Sequence, residues 1–182
     1  MLLERERTTL LLIDIQERLL PAMAHAKETE ARAAILIQAA KALDVPLAVS
    51  EQYPKGLGHT VPALREEIGN APVFEKTAFS CWRDAALKKH LIGAFENGRP
   101  QVLIAGIEAH VCVLQTAATW RRRGWVFVAA DAVSSRKETS VSLAFDRMRQ
   151  AGVAVVNTEM AVFEMLGGAG STQFRSLSAL IR

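Results

Sequence analysis

The sequence predicts an α/β protein of three layers, in which a six-stranded parallel sheet lies between two layers of helices. Short apolar runs alternate with longer amphipathic stretches from end to end, and the links between them are short. Parallel strands covered by helices are buried on both faces, so they appear as nearly continuous apolar runs. We expect a single domain over residues 1–182, because no composition shift, internal repeat or low-complexity segment divides the chain.

The elements follow from apolar runs, helical spacing and turn residues. The first predicted strand, residues 8–15, is apolar almost without interruption. The spacing of Ile35, Leu36 and Ala39 predicts a helix that ends at residues 44–46, and residues 97–100 break the chain before the fourth strand. The other strands are predicted at residues 46–50, 72–74, 101–105, 125–130 and 153–156. The helices are predicted at residues 28–43, 84–95, 110–123, 137–150, 158–166 and 171–181.

Composition and charge exclude several classes of partner. The 182 residues carry a net charge of +3, and the basic residues are spread along the chain. One basic run, residues 121–123, closes a predicted helix before Gly124, so the helix dipole and a glycine cap explain it. No aromatic-lined basic stripe accompanies this run, so we predict no nucleic-acid partner. No apolar run is long enough to span a bilayer, so we predict no membrane partner.

The cysteines and the N-terminus bear on the compartment. Cys81 and Cys112 are far apart and have no metal-type spacing, which argues against a disulfide framework and favours a reducing compartment. Residues 1–7 are charged where a signal peptide needs its apolar centre. We therefore expect the protein in the cytoplasm.

The sequence offers no cofactor or metal motif. Gly56 and Gly58 begin like a dinucleotide fingerprint, but Val61 stands where the third glycine belongs, and the segment does not join a strand to a helix. There is no phosphate-loop lysine motif and no Gly-x-Ser-x-Gly elbow. The four histidines lie in unrelated segments without paired ligand spacing. We predict no cofactor and no metal.

Cys112 is the first candidate catalytic residue. It follows the apolar run of the fourth strand and lies one turn into the predicted helix. A thiol there faces the positive end of the helix dipole, which favours the thiolate that attacks carbonyl carbon. The alternative interpretation is a small buried hydrophobic residue, as most free cysteines are.

Asp14 and Lys76 follow two other predicted strands. A carboxylate at the end of an apolar run is costly unless it is paired, hydrogen bonded or functional; alternatively, Asp14 caps a turn. Lys76 alternatively points to water. In a doubly wound sheet of order 3-2-1-4-5-6, strands one and four are neighbours at the switch point. Asp14, Lys76 and Cys112 would then meet in one crevice as a nucleophilic unit.

These segments resemble the three motifs of the isochorismatase-like cysteine hydrolases. The motifs are Asp14-x-Gln16, residues 75–80 (EKTAFS) and residues 106–113 (GIEAHVCV). The resemblance extends from about Thr8 to Met165. Residues 51–60 (EQYPKGLGHT) and 130–136 (ADAVSSR) further resemble the family's small isochorismatase-domain subgroup, whose members mostly lack an assigned substrate.

The resemblance implies a fold and a set of roles. The family fold is a six-stranded parallel sheet between helices, and its amidase members use an aspartate, a lysine and a cysteine, which correspond to Asp14, Lys76 and Cys112. It also implies a cis peptide between Ile107 and Glu108, and an oxyanion hole at the backbone N–H groups of Glu108 and Cys112. Family members usually assemble, which implies a homo-oligomer through the segment from Thr158 onward or through Trp82.

Two departures from the family narrow the chemistry. Nicotinamidases of this family bind a metal through an Asp-x-His pair after the second strand, whereas this chain has Glu51, Gln52 and Tyr53 there. True isochorismatases cleave a vinyl ether and lack the nucleophilic cysteine, so Cys112 argues against that reaction.

The resulting hypothesis is a cysteine hydrolase that cleaves a small amide or related C–N bond through a thioester on Cys112, assisted by Asp14 and Lys76. The substrate is a small molecule, and the candidate pocket residues are Gln16, Tyr53, Phe79, Trp82 and His110. The aromatic ones are alternatively core or interface residues. Two other functions stay open, a non-catalytic scaffold that retains the hydrolase fold and a redox sensor that pairs Cys81 with Cys112.

Overall fold

The computed structural model describes residues 1–181 and contains a six-stranded, all-parallel sheet with helices on both faces. Arg182, the last residue of the predicted domain, lies outside the described residues. The strands are β1 (Thr8–Ile13), β2 (Leu47–Gln52), β3 (Val73–Lys76), β4 (Gln101–Ile107), β5 (Trp125–Ser134) and β6 (Ala154–Val156). Their order is β3-β2-β1-β4-β5-β6, so the predicted fold class and strand order are confirmed.

Over the described residues, eight α-helices connect and cover the strands. They are α1 (Ala26–Ala42), α2 (Pro54–Leu57), α3 (Pro62–Ile68), α4 (Ala85–Glu96), α5 (Leu114–Trp120), α6 (Glu138–Gln150), α7 (Thr158–Leu166) and α8 (Phe174–Ile181). Short 3₁₀ turns lie at Arg5–Arg7, Leu20–Ala22 and Cys81–Arg83, and a π turn lies at Ala109–Val113. Within residues 1–181, none of the helices combines the length and the apolar character that a membrane span requires.

The core has two parts, one on each face of the sheet. Successive side chains of a strand point to opposite faces, so Leu10 and Leu12 of β1 join the cluster under α1 and α7. Leu11 and Ile13 of the same strand join the cluster under α4, α5 and α6, which also holds Trp120. All six residues of β1 are buried, as its apolar run predicts.

The structure differs from the predicted elements at strand ends, in one helix and between β2 and β3. β1 ends at Ile13, before the predicted end at residue 15. β3 extends to Lys76 and β5 to Ser134, so both strands are longer than their apolar runs. The predicted helix at residues 110–123 is a π turn followed by α5, which ends at Trp120. Helices α2 and α3 were not expected between β2 and β3. Each begins with a proline, which favours the first helical position.

Gly106 of β4 lies against the backbone of β1, beside the end of that strand. Gly106 pairs with Ile13 and has φ +128°, a conformation that favours glycine. A Cβ atom at this position would lie 2.0 Å from the carbonyl oxygen of Ile13. The register of β4 with β5 shifts between Ile104 and Gly106, so this glycine adjoins an irregularity of the sheet. The switch point of the sheet therefore forms only with glycine here.

Candidate active site

Three predicted side chains meet at the carboxyl edge of the sheet. Asp14 follows β1, Lys76 ends β3, and Cys112 lies in the π turn after β4. The ammonium nitrogen of Lys76 lies 2.7 Å from Oδ2 of Asp14 and 3.8 Å from Sγ of Cys112. All three residues are buried, and Cys112 is 5% exposed. Acid, amine and thiol thus form one cluster at the switch point of the sheet.

Local backbone conformation places Asp14 and Cys112. Asp14 has φ 55°, in the left-handed region that aspartate tolerates better than most residues, and its N–H donates to the carbonyl of Ser50 at 3.0 Å. Cys112 lies in a π turn, and such turns are common at functional sites. Each side chain is therefore positioned by irregular backbone that follows a regular strand.

Neighbouring residues occupy both oxygens of Asp14 and most of the donors of Lys76. The hydroxyl of Ser50 donates to Oδ1 of Asp14 at 2.7 Å, while Lys76 donates to Oδ2. Lys76 also donates to Oε1 of Gln52 at 2.8 Å and to the carbonyl of Phe79 at 3.3 Å. Sequence reasoning missed Ser50 and Gln52. The available signal was a polar pair at the end of β2, next to β1 in the predicted order.

The thiol of Cys112 is not activated in the resting site. Burial raises the pKa of Cys112, the carboxylate of Asp14 raises it further through its charge and a hydrogen bond, and the ammonium of Lys76 lowers it only partly. The loss of hydration at this depth thus favours the thiol and opposes the thiolate that the helix-dipole argument predicts.

Burial also shifts the pKa values of Asp14 and Lys76, the two charged groups that face the thiol. It raises the pKa of Asp14, although Lys76, Ser50 and Cys112 all favour the carboxylate. Burial lowers the pKa of Lys76, but the charge and hydrogen bond of Asp14, together with smaller contributions from Cys112 and Cys81, outweigh it, so the pKa of Lys76 lies above its usual value. Asp14 is therefore a stronger proton acceptor than an exposed aspartate, and Lys76 stays charged beside it.

The peptide bond between Ile107 and Glu108 is cis. The carbonyl of Glu108 accepts the N–H groups of Val111 and Val113 at 3.0 and 3.2 Å. Its carboxylate accepts from the backbone and the side chain of Arg136, at 3.2 and 3.1 Å. An oxyanion hole formed by the N–H groups of Glu108 and Cys112 stays a prediction.

Tyr53 and Phe79 adjoin Lys76. The N–H of Tyr53 donates to the carbonyl of Lys76 at 2.9 Å, and the carbonyl of Phe79 accepts from the ammonium group. Tyr53 has φ 38°, and its ring lies against Gly56, where a Cβ would be 2.5 Å from Cε1. Tyr53 and Phe79 are 55% and 54% exposed. Their role as walls of a pocket stays a prediction.

The other candidate pocket residues have different surroundings. The side-chain amide of Gln16 is fully buried; it donates to the carbonyls of Gln52 and Gly58 and accepts the N–H of Gln52. Trp82 packs edge-on against Trp120, at the margin of the core. Nδ1 of His110 lies 2.9 Å from the hydroxyl of Ser135. Gln16 thus binds the backbone of Gln52 and Gly58. The contacts described for Trp82 and His110 are with residues outside the cluster of Asp14, Lys76 and Cys112.

Cys81 lies close behind the cluster. Its sulfur is 3.7 Å from the hydroxyl of Ser50, and its N–H donates to the hydroxyl of Thr116 at 3.0 Å. Burial raises the pKa of Cys81 to about 11. Both cysteines are free thiols in the structure. Among residues 1–181, no three histidine, cysteine or acidic side chains are arranged to hold a metal ion.

The comparison with known proteins covers the part of the chain that contains the candidate site. A family model described as an isochorismatase domain matches residues 8–160. The chain belongs to the isochorismatase family. Mouse isochorismatase domain-containing protein 2A is 38% identical over 181 residues, which cover 97% of this chain and 84% of the mouse protein. The predicted family and its small isochorismatase-domain subgroup are thus confirmed.

Solved structures of this fold agree closely with the chain. The structure of MAR1 ribonuclease from Caenorhabditis elegans has a TM-score of 0.92 and 37% identity, covering 100% of this chain and 92% of that one. The YcaC gene product of Escherichia coli, described as an octameric hydrolase of unknown specificity, has a TM-score of 0.91. Its identity is 24%, over 99% of this chain and 89% of that one, so it bears on the fold alone.

Proposed function

We propose that this isochorismatase-family protein is a cysteine hydrolase that cleaves a small amide or related C–N bond. The observation that carries the proposal is the buried contact of Lys76 with both Asp14, at 2.7 Å, and Cys112, at 3.8 Å. A buried thiol, a carboxylate with a raised pKa and a cation between them are the parts that covalent acyl transfer requires. A purely structural core has no need of three such groups together.

Asp14 is the general base and Cys112 the nucleophile in this scheme. As Sγ of Cys112 bonds to the substrate carbonyl carbon, the thiol proton passes to Asp14. The charge of Lys76 stabilises the developing thiolate, and the N–H groups of Glu108 and Cys112 hold the oxyanion. The tetrahedral intermediate then expels the amine, which takes the proton from Asp14.

Water completes the cycle. Asp14, again a carboxylate, accepts a proton from the water that attacks the thioester carbonyl. The thioester bond breaks, the acid product leaves, and the proton returns to the sulfur of Cys112. Lys76 keeps its proton throughout, which agrees with a pKa above the usual lysine value.

The test is a panel of small amides, ureas and N-carbamoyl compounds. We expect the wild type to hydrolyse at least one compound and Cys112→Ala to lose about a thousandfold or more of that rate, as loss of a nucleophile does in related triads. Arg149→Ala, on the exposed face of α6, is the matched control. Intact-mass spectrometry checks for the acyl adduct on Cys112. Hydrolysis that persists in Cys112→Ala excludes the mechanism.

A second candidate function is cleavage of RNA. The C. elegans relative at 37% identity is described as a ribonuclease. Lys88 and Arg123 lie over the ring of Trp82 at 5.4 and 5.2 Å, so an aromatic side chain does adjoin the basic run that follows α5. Cations beside an aromatic face are typical of single-strand binding. An RNA oligonucleotide in the same panel decides between the two, since the amide scheme predicts no cleavage of it.

A non-catalytic scaffold remains the alternative to both enzymes. It predicts no turnover and no acyl adduct on Cys112 with any compound of the panel. The geometry favours an enzyme, because a scaffold gains no stability from burying Asp14 and Lys76 together that an apolar pair would not give.

We further propose that the protein is a homo-oligomer and that it resides in the cytoplasm. Met160 and Phe163 of α7, which are 47% and 38% exposed beside Leu2, support assembly. Light scattering coupled to gel filtration tests it. The two free thiols support a reducing compartment.

A further inference from the structure

Ser50 holds Asp14 from the neighbouring strand. The register of β1 with β2 places Ser50 opposite Ile13, the residue before Asp14. Ser50 is fully buried, its hydroxyl donates to Oδ1 of Asp14 at 2.7 Å, and its carbonyl accepts the N–H of Asp14 at 3.0 Å. One residue of β2 therefore fixes both the backbone and the side chain of Asp14.

The direction of these hydrogen bonds follows from the groups involved. A carboxylate only accepts, so the single proton of the Ser50 hydroxyl points to Asp14. The hydroxyl can then only accept from Cys81, whose sulfur is 3.7 Å away. Cys81 is the donor because burial raises its pKa to about 11, which keeps the thiol protonated at neutral pH. The chain of bonds runs from Cys81 through Ser50 to Asp14.

We propose that Ser50, supported by Cys81, is a positioning residue that fixes the orientation of the Asp14 carboxylate for proton transfer from Cys112. The role in proton transfer rests on the proposed function. Lys76 alone holds only Oδ2, and the terminal torsion of an aspartate is broad. With Ser50 on Oδ1, the carboxylate plane is fixed, and it faces the thiol in one orientation.

A buried serine that served packing alone would most often bond to backbone. Here the acceptor is the side chain of the proposed base. The N–H of Cys81 is in turn held by Thr116 of α5, the helix that continues the π turn of Cys112. The segment that carries the nucleophile and the strand that holds the base are thus joined behind the site through Cys81.

The test is the titration of Asp14 in Ser50 variants, followed by NMR of its carboxyl carbon. The titratable groups that face Asp14 are Lys76 at the end of β3, Cys112 in the π turn and Cys81 in the 3₁₀ turn, and all stay in place. Ser50 favours the carboxylate, so we expect Ser50→Ala to raise the pKa of Asp14 by about one pH unit or more, a tenfold change in proton affinity. Ser50→Thr keeps the hydroxyl and restores the wild-type titration.

A second readout ties the residue to the reaction. With any compound that the wild type hydrolyses, the acid limb of kcat/KM moves to higher pH in Ser50→Ala by the same amount as the NMR titration, and Ser50→Thr restores it. If Ser50→Ala does not fold, Ser50→Cys supplies a weaker donor, and an intermediate shift is expected. An unchanged Asp14 titration in a folded Ala or Cys variant overturns the proposal.

The two proposals fail separately. If the wild type hydrolyses no compound but the pKa of Asp14 rises in Ser50→Ala, the hydrolase proposal is refuted, while the effect of Ser50 on Asp14 stands. If the protein hydrolyses a compound and the pH profile of kcat/KM is the same in the wild type and in Ser50→Ala, the hydrolase proposal stands and the positioning role is refuted.

Discussion

The thiol of Cys112 faces two groups of opposite charge, and at the residue scale their balance decides its reactivity. Burial raises the pKa of Cys112 most, Asp14 raises it further, and Lys76 lowers it. The attacking thiolate therefore forms when Asp14 takes the proton, rather than being present beforehand. This arrangement protects a buried thiol from unselective reagents at neutral pH.

Exchanging each charged neighbour separates these effects. Asp14→Asn removes the group that raises the pKa of Cys112 and keeps Lys76, so we expect alkylation of Cys112 by iodoacetamide at neutral pH to accelerate about tenfold or more. Lys76→Met is expected to slow it. Amide hydrolysis is lost in both variants. Asp14→Asn has no base, and Lys76→Met has no charge to stabilise the developing thiolate. Peptide mass spectrometry measures the rate at Cys112.

The matched control for this experiment is Asp146→Asn, an exposed aspartate of α6. It leaves the alkylation rate of Cys112 unchanged. Slower alkylation in Asp14→Asn than in the wild type would contradict the opposing effects of the two neighbours.

Sequence reasoning found Asp14, Lys76 and Cys112 because each charged or sulfur-bearing residue follows an apolar run at the same edge of a parallel sheet. It missed Ser50 and Gln52, whose contacts depend on the register of β2 with β1 and on side-chain direction. It did not anticipate that the pKa of Cys112 is raised, because the depth of burial of a thiol is not encoded by its own segment.

At the scale of elements, the contact of β4 with β1 at Gly106 determines where the site forms. A Cβ there would meet the Ile13 carbonyl oxygen at 2.0 Å, and β1 has no space to retreat between two helical layers. The strands themselves were predictable from apolar runs. The extension of β5 through Asp131 to Ser134 was not, since it is the pairing of Val133 and Ser134 with β4 that keeps this segment extended.

Replacing Gly106 tests this contact. We expect Gly106→Ala to lower the free energy of unfolding by about 3 kcal/mol or more, since both the backbone angle and the overlap oppose it. Denaturation by urea measures it. Gly93→Ala in α4, where a Cβ would meet nothing within 4 Å, is the control and is expected to be neutral or to stabilise by about 0.5–1 kcal/mol. Equal effects of the two substitutions would contradict the steric argument.

At the scale of the whole molecule, buried protonated groups couple stability to alkaline pH. The pKa of Cys81 is about 11 in the fold against an ordinary value of 9.0, so the folded state binds this proton more tightly than the unfolded state. Its contribution to stability is fully present below pH 9.0 and is lost as pH rises to about 11. Lys76, with its raised pKa, acts in the same direction above its ordinary value of 10.5.

The free energy of unfolding should therefore decline on the alkaline side. Two pH units at 1.36 kcal/mol each correspond to about 3 kcal/mol from Cys81 between pH 9 and pH 11. We expect Cys81→Ala to show a shallower decline than the wild type over this range, whatever its stability at neutral pH. Urea titrations at several pH values measure the slope, and parallel declines would contradict the assignment to Cys81.

The loop after β2 is fastened to the segment after β1 along most of its length. Gln16 binds Gln52 and Gly58 through its side chain, and backbone bonds join Glu17 to His59, Arg18 to Leu57 and Val61 to Ile15. We therefore do not expect this loop to swing open as a lid, because opening would break these hydrogen bonds together. We expect access to the sulfur of Cys112 to depend on side-chain rotation instead, and exposed rings such as those of Tyr53 and Phe79 exchange rotamers within nanoseconds.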